Sequence, residues 1–162
     1  MTRLKNKTAI VVGAGQTPGT TIGNGRAMAL LFAREGAEVL CVDRDQSRAD
    51  ETVAVITAEG GKARSVAADI VRADDVAMMF DTARSRWPRI DILVNNVDIG
   101  ITGADADGPA HVASEQAFNT TLNVNLKGMW LTIKAAIPLM RDAGGGSIVN
   151  ISALSLTVAT AL

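Results

Sequence analysis

The chain has 162 residues, of which 48% are apolar and 20% are charged, and its formal net charge is −1. This length predicts one folded domain over residues 1–162, with enough apolar side chains to form a buried core. A nearly neutral chain lacks the basic field that would attract nucleic acid or an anionic membrane surface. No apolar run reaches the roughly 20 residues that a membrane helix needs. We therefore expect neither a nucleic-acid partner nor a membrane partner.

The chain contains a single cysteine, Cys41, and a single histidine, His111. One cysteine cannot form an internal disulfide, and one histidine with one cysteine supply too few ligands for a zinc or iron site. The amino terminus is basic and lacks the apolar stretch and cleavage site of a secretory signal. These features predict a cytoplasmic protein without a metal centre, in which His111 is solvated.

Short apolar, β-branched runs alternate with amphipathic stretches along the whole chain, which predicts buried parallel strands connected by helices. Strands are predicted at residues 8–12, 38–43, 63–67, 90–95 and 147–152, and helices at 26–35, 47–59, 74–86 and 114–140. This alternation predicts an α/β fold, with a doubly wound parallel sheet between two layers of helices. We expect Trp87, Trp130, Met78, Met79, Met129 and Met140 to pack in the core.

A glycine-rich loop, residues 13–25, joins the first predicted strand to the first predicted helix. Its glycines include Gly13, Gly15, Gly23 and Gly25, and Ile22 lies among them. Glycines alone also fit an ordinary turn. In this position, however, they let backbone N–H groups approach a diphosphate at a helix N-terminus. We therefore expect the loop to bind a dinucleotide, as in a Rossmann-type fold.

Asp43 ends the second predicted strand. A carboxylate there can accept hydrogen bonds from the adenine-ribose hydroxyls and repels a 2′-phosphate. A solvated strand end or a helix cap is the alternative, although Asp45 suits a cap better. Arg44 would favour NADP, but its side chain can turn into solvent. We expect the cofactor to be NAD, with Asp43 and Arg44 in contact with it and NADP as the second choice.

Five segments of the chain carry a more specific signal, because they occur in a fixed order and each falls on a strand, helix or turn of the expected kind. They are the loop with Gly13, Gly23 and Gly25; residues 68–70; residues 89–96; residues 123–128; and residues 146–152. Together these segments resemble the short-chain dehydrogenase/reductase family. The resemblance implies that Asp69 and Ile70 contact the adenine, that Asn95 and Asn96 lie beside the cofactor, and that Asn125 is the active-site asparagine.

The chain departs from this family pattern at three places. Val97 and Asp98 stand where the family has alanine and glycine beside the cofactor. The position of the family's catalytic serine is occupied by Ala153, so Ser152 is our candidate, with Ser155 as an alternative. The family's Tyr-x-x-x-Lys motif is missing from the 162 residues, which contain no tyrosine.

The resemblance implies an NAD-dependent oxidoreductase that transfers hydride between the cofactor and an alcohol or ketone. Without the tyrosine and the lysine, we expect these 162 residues to be inactive by themselves. The apolar, uncharged residues 153–162 favour a piece of a longer enzyme over a complete short product. The alternatives are a non-catalytic dinucleotide-binding or oligomerisation module and a misfolded remnant. We expect a homo-oligomer, because relatives pair through the helix corresponding to residues 114–140.

Overall fold

The computed structural model describes residues 2–99, 111 and 113–152, which form a five-stranded parallel sheet with helices on both faces. Its strands are β1 (Thr8–Val12), β2 (Glu38–Asp43), β3 (Lys62–Ala67), β4 (Ile92–Asn95) and β5 (Ser147–Asn150). All neighbouring strands pair in parallel, in the order β3-β2-β1-β4-β5. The predicted Rossmann-type α/β fold is therefore confirmed.

Helices connect consecutive strands, as the alternating sequence pattern predicts. They are α1 (Asn24–Arg34), α2 (Gln46–Ala58), α3 (Ala73–Arg84), α4 (Glu115–Thr121) and α5 (Met129–Asp142). The predicted helix 114–140 is continuous in space, but residues Leu122–Gly128 between α4 and α5 form a π-helical turn. Such turns are uncommon and occur often near functional sites. We call Leu122–Gly128 the π segment.

The sheet is covered on both faces by apolar helix surfaces, which creates two layers of core. On one face, Ala29 and Ala33 of α1 and Ile56 of α2 pack against strand side chains that include Cys41 and Val94. Burial raises the pKa of the Cys41 thiol to about 12. The other face is covered by α3 and α5, whose buried residues Val76, Met79, Phe80, Ala83, Ala136 and Met140 contact β1, β2 and β4. The four buried residues of α3 recur at the i, i+3, i+4, i+7 spacing that places them on one helix face.

Two expected core residues lie at the surface. Trp130 is 52% exposed and Met78 is 43% exposed, so the prediction that they pack in the core is wrong. Each lies on a helix but points away from the sheet, which residue type alone does not reveal. Trp87 is buried, as expected. None of the helices in the described parts of the chain combines the length and the apolar character needed to cross a membrane.

Candidate functional site

A cleft of about 590 Å³ opens at the carboxyl edge of the sheet. It lies where the chain order of the strands reverses, between β1 and β4, which is where open α/β sheets bind their ligands. Its lining residues come from the loop 13–25, the end of β2, residues 68–71 after β3, residues 96–99 after β4, and Thr120, Asn123 and Val124. We call the part formed by the loop 13–25 and Asp43 the loop end, and the part formed by residues 96–99 and the π segment the turn end.

The loop end is built by close backbone contacts. The N–H groups of Gly13 and Ala14 both donate to the carbonyl of Val42, at 2.8 and 2.9 Å, which ties the start of the loop to β2. Gly13 has a φ of +79°, which favours glycine. A Cβ atom on Gly25 would lie 1.8 Å from the carbonyl oxygen of Gly13, so only glycine lets α1 begin this close to β1.

The amino end of α1 is free of side-chain caps. Gly23 occupies the N-cap position and makes no side-chain hydrogen bond, so the first backbone N–H groups of α1 are not satisfied by a cap. These N–H groups and the helix dipole provide a site for an anion at the centre of the cleft.

Gln16 holds the long loop in shape. Its Nε2 donates to the carbonyls of Thr17 at 2.7 Å and Thr21 at 3.0 Å, and its Oε1 accepts from the N–H of Gly23 at 3.0 Å. One side chain thus joins both branches of the loop to the residue that precedes α1.

Asp43 is clasped by backbone donors from both sides. Its Oδ2 accepts from the N–H of Gly15 and its Oδ1 from the N–H of Asp45, each at 3.0 Å. A Cβ atom on Gly15 would meet this carboxylate, so a glycine is required there too. Each oxygen keeps a lone pair for a further donor. The alternative reading of Asp43 as a cap is not needed, because Asp45 caps α2 by accepting from the N–H groups of Ser47 and Arg48.

The floor of the cleft after β3 is shaped by Asp69 and Ile70. The carboxylate of Asp69 accepts from the N–H of Val71 at 3.2 Å, and the backbone N–H of Asp69 donates to the carboxylate of Asp75 at 3.0 Å. Ile70 is buried, and a Cβ atom on Gly128 would lie 2.8 Å from its side chain. The π segment therefore closes directly onto Ile70.

The turn end is held by side chains that join different elements. Asn96 bonds to β1 through its N–H, which donates to the carbonyl of Val12 at 3.0 Å, and to the loop through its Nδ2, which donates to the carbonyl of Gly13 at 3.3 Å. Val97 packs on the core. Asn125 of the π segment accepts from the N–H of Ile99 at 3.0 Å and donates to the carboxylate of Asp98. The replacement of the family's alanine and glycine thus leaves an ordered turn.

Beneath the turn end, two buried polar side chains, those of Asn95 and Thr132, contact each other. Asn95 is 2% exposed, and its Nδ2 donates to Oδ1 of Asn150 on the exposed part of β5 at 2.9 Å. The hydroxyl of Thr132 on α5 lies 2.7 Å from Oδ1 of Asn95 and 2.7 Å from the carbonyl of Met129, so the two oxygens share its one hydrogen. This network connects α5, β4 and β5.

Comparison with known proteins agrees with this architecture. The family described as short chain dehydrogenase matches residues 7–161. The chain belongs to the short chain dehydrogenase family. A 7α-hydroxysteroid dehydrogenase from Clostridium sardiniense is 37% identical over 158 residues, which cover 98% of this chain and 57% of that protein. A D-threitol dehydrogenase from Mycolicibacterium smegmatis is 35% identical over 157 residues, covering 97% and 56% respectively.

Solved structures lead to the same family. A metagenomic short-chain oxidoreductase in complex with NADP superposes with a TM-score of 0.84 at 32% identity, covering 98% of this chain and 67% of that one. The chain spans a little over half the length of the curated relatives it matches. The members of this family are oxidoreductases that bind a nicotinamide cofactor and act on small alcohols and ketones.

The structure brings most of the predicted cofactor residues into one cleft. They are Gly13, Gly15, Gly23, Gly25, Asp43, Arg44, Asp69, Ile70 and Asn96. Four predicted site residues are not in its lining. Ile22 is largely exposed, Asn95 bonds to Thr132 and Asn150, Asn125 bonds to Asp98 and Ile99, and Ser152 lies exposed two residues beyond β5. Ala153 and Ser155 lie outside the described residues.

Sequence reasoning did not find Gln16, Arg48, Thr120 and Asn123. Arg48 lines the cleft beside Arg44, and its position in the first turn of α2 could have signalled this, since that turn begins at the carboxyl edge. Thr120 and Asn123 precede Asn125 on the same helical stretch. The role of Gln16 had no sequence signal, because it depends on the path of a loop without regular structure.

Proposed function

We propose that this chain binds NAD(H) in the cleft and serves an oxidoreductase that acts on an alcohol or ketone. One observation carries the proposal. The uncapped start of α1 packs against Gly13 at the carboxyl edge of the sheet, and the carboxylate of Asp43 is bonded to Gly15 in the same loop. An anion-binding helix terminus next to a fixed carboxylate matches the alternation of diphosphate and ribose in a dinucleotide.

The residues present fit such a cofactor. In this proposal the N–H groups at the start of α1 hold the diphosphate, and the free lone pairs of Asp43 accept from the ribose hydroxyls. Asp69 and Ile70 border the adenine, and Asn96 lies on the path to the turn end. When bound, the nicotinamide ring supplies the hydride chemistry, which no amino-acid side chain can provide.

The choice of NAD over NADP rests on Asp43. A 2′-phosphate beside this carboxylate would place two anions about 4 Å apart, a repulsion of roughly 1 to 4 kcal/mol per charge pair. Arg44 and Arg48 line the same part of the cleft and oppose this repulsion. Arg48 is already paired with Asp45 at 3.3 Å, and Arg44 is exposed. We therefore expect Asp43 to dominate the selection.

Fluorescence titration of the chain with NADH and NADPH tests this proposal. We expect NADH to bind more tightly, and Asp43→Asn to weaken NADH binding about tenfold while improving NADPH binding. Asp81→Asn, which removes an exposed carboxylate on α3, should leave both affinities unchanged. Binding of neither nucleotide to the wild-type chain would refute dinucleotide binding, and tighter binding of NADPH would refute only the choice of NAD.

The catalytic part of the proposal is narrower. Asn125 bonds to Asp98 and Ile99 at the turn end and is not among the residues that line the cleft, so we propose that it positions the turn. Ser152 is a candidate donor to the substrate oxygen. The 162 residues contain no tyrosine, and a serine hydroxyl without a neighbouring base is a weak acid–base group. We therefore propose that these residues bind nucleotide without turnover, so NAD reduction in the presence of simple secondary alcohols should stay at background.

A second candidate function is an oligomerisation module. Five large apolar side chains are exposed along the stretch from α4 to α5: Phe118, Leu122, Leu126, Trp130 and Ile137. Apolar patches of this kind mark protein contacts. We propose that the chain forms a homo-oligomer through this stripe, which sedimentation of wild type beside Leu126→Glu tests. A monomeric wild type would contradict it.

The proposal also includes the cytoplasm as location, since the single cysteine is buried and unmodified thiols persist in a reducing compartment.

A further inference from the structure

Asp98 lines the cleft at the turn end, and its side chain is exposed. The turn that carries it is anchored on both sides of this residue. Asn96 bonds to β1 and to Gly13, and the N–H of Ile99 donates to Asn125. Asp98 is therefore held at a defined place relative to the loop end of the cleft.

Its side chain is fixed by the amide of Asn125, whose orientation follows from chemistry. A carboxylate only accepts hydrogen bonds and a backbone N–H only donates. Asn125 must therefore direct Nδ2 to Asp98 and Oδ1 to Ile99, as the structure has it. If the amide of Asn125 were flipped, its Oδ1 would face the carboxylate of Asp98 and its Nδ2 would face the N–H of Ile99. Neither contact could be a hydrogen bond.

The negative charge of Asp98 is not balanced by a neighbour. Within residues 2–99, 111 and 113–152, no lysine, arginine or histidine forms an ion pair with it. Residues 100–110, 112 and 153–162 contain no basic residue. Asn125 is neutral, so it orients the carboxylate without neutralising it. Among the described residues that line the cleft at the turn end, Asp98 is the charged one, because Lys127 of the π segment is exposed and lies outside the lining. Arg44 and Arg48 line the cleft beside the loop end.

If a dinucleotide lies in the cleft with its adenosine at Asp43 and its diphosphate at α1, its nicotinamide half extends to the turn end. The oxidised nicotinamide ring carries a positive charge and the reduced ring is neutral. The two forms differ in little else that the cleft can contact. A carboxylate at this end therefore discriminates between oxidation states and not between adenine nucleotides.

We propose that Asp98 is a specificity residue that makes the cleft favour the oxidised nicotinamide cofactor over the reduced one. This inference rests on the proposed function. Because the carboxylate is exposed, its attraction is screened by solvent, and an effect of about fivefold on one dissociation constant is expected. The direction is definite: the charge lowers the Kd of NAD⁺ and leaves that of NADH almost unchanged.

The test compares Kd values for NAD⁺ and NADH, by calorimetry, in the wild-type chain and in Asp98→Asn. Asparagine keeps an oxygen that accepts from Asn125, so the turn is preserved while the charge is lost. We expect the Kd of NAD⁺ to rise about fivefold and that of NADH to change less than about twofold. The matched control is Asp74→Asn, which removes an exposed charge from the first turn of α3, outside the cleft, and should shift neither value.

If the role of Asp98 were purely structural, Asp98→Asn would weaken the binding of NAD⁺ and NADH equally. An unchanged ratio of the two Kd values would therefore overturn the proposal.

Ionic strength gives a second measurement that needs no variant. The Debye length falls from about 30 Å at 0.01 M salt to about 3 Å at 1 M. Diphosphate contacts are common to both nucleotides and cancel in the ratio, so the preference of wild type for NAD⁺ should decline with salt. A constant ratio contradicts a charge effect, and a wild type that binds neither nucleotide refutes the proposed function and this inference with it.

Discussion

The loop end and the turn end of the cleft are held by different kinds of interaction. At the loop end, the closest contacts are between backbone groups: Gly13 and Ala14 bond to Val42, and α1 begins against the carbonyl of Gly13. The side chains of Gln16 and Asp43 add bonds to backbone groups there. At the turn end, side chains from separate elements bond to each other or to a distant backbone, as Asn125 does with Asp98 and Ile99. The first kind needs particular glycines, and the second needs particular partners. The two ends should therefore respond differently to substitution.

The largest effect is expected from Gly25→Ala at the loop end. The new Cβ would lie 1.8 Å from the carbonyl oxygen of Gly13, so the backbone of α1 or β1 must move. We expect a loss of about 3 kcal/mol in the free energy of unfolding and no measurable NADH binding. Urea unfolding and fluorescence titration measure both. The control is Gly19→Ala, whose Cβ would have only the carbonyl of Thr17 near it, at 4.0 Å. Wild-type affinity in Gly25→Ala would contradict a backbone-built loop end.

A substitution under the turn end should cost stability without a steric clash. Thr132→Val keeps the shape of the side chain but removes the hydroxyl that Asn95 and the carbonyl of Met129 share, so the buried amide of Asn95 loses its partner on α5. We expect a loss of about 1 to 3 kcal/mol, measured by urea unfolding. In the matched Thr82→Val on α3, the lost hydroxyl bonds within its own helix, to Met78, and the expected change is below about 0.5 kcal/mol. If Thr132→Val and Thr82→Val lowered the free energy of unfolding equally, the network around Asn95 would not stabilise the fold.

At the opposite edge of the sheet, Asp91 connects the start of β4 to the start of β1. Its carboxylate, on a residue 5% exposed, accepts from the N–H of Thr8 at 3.0 Å and pairs with Lys7 at 3.2 Å and Arg89 at 2.8 Å. Burial would raise the pKa of Asp91, but the bonds from Thr8 and Lys7 and the charge of Arg89 outweigh it and lower the pKa. The folded state therefore favours the ionised carboxylate.

A lowered folded-state pKa contributes stability above the unfolded value, about 3.9, and this contribution is lost as the pH falls through the folded value. We expect Asp91→Asn to cost about 1 to 2 kcal/mol at pH 7, since both cationic partners are partly exposed and can be resolvated. The difference from wild type should shrink at pH 3, where urea midpoints measure it. Asp81→Asn, in an exposed pair with Arg84 at 3.6 Å, is the control and should have little effect. If wild type and Asp91→Asn differed in stability by the same amount at pH 7 and pH 3, this explanation would be contradicted.

The smallest effect is expected from Gln16→Ala. The three hydrogen bonds of Gln16 lie in an exposed loop, so their loss should leave the unfolding midpoint unchanged and weaken NADH binding about threefold by loosening the loop. Thr20→Ala in the same loop, outside the cleft lining, should leave binding unchanged. If Gln16→Ala binds as tightly as wild type, the loop does not depend on this side chain.

The sequence by itself determined the sheet, its strand and helix order and the loop end of the cleft. The reason is that these features depend on periodicity and on glycines close together along the chain. It placed Gly13, Gly25 and Asp43 at one edge, because parallel strands end on the same side. It also identified Asp45 as the cap of α2.

Only the tertiary structure decided the turn end. Asn95 is buried against Thr132, Asn125 bonds to Asp98, and the helix after Thr121 widens into a π turn. These three features depend on how the helices and strands pack against each other. Trp130 is exposed for the same reason, since helical periodicity defines faces but not which face meets the sheet. Side chains far apart in sequence find each other only once the layers are in place, and no local pattern records that pairing.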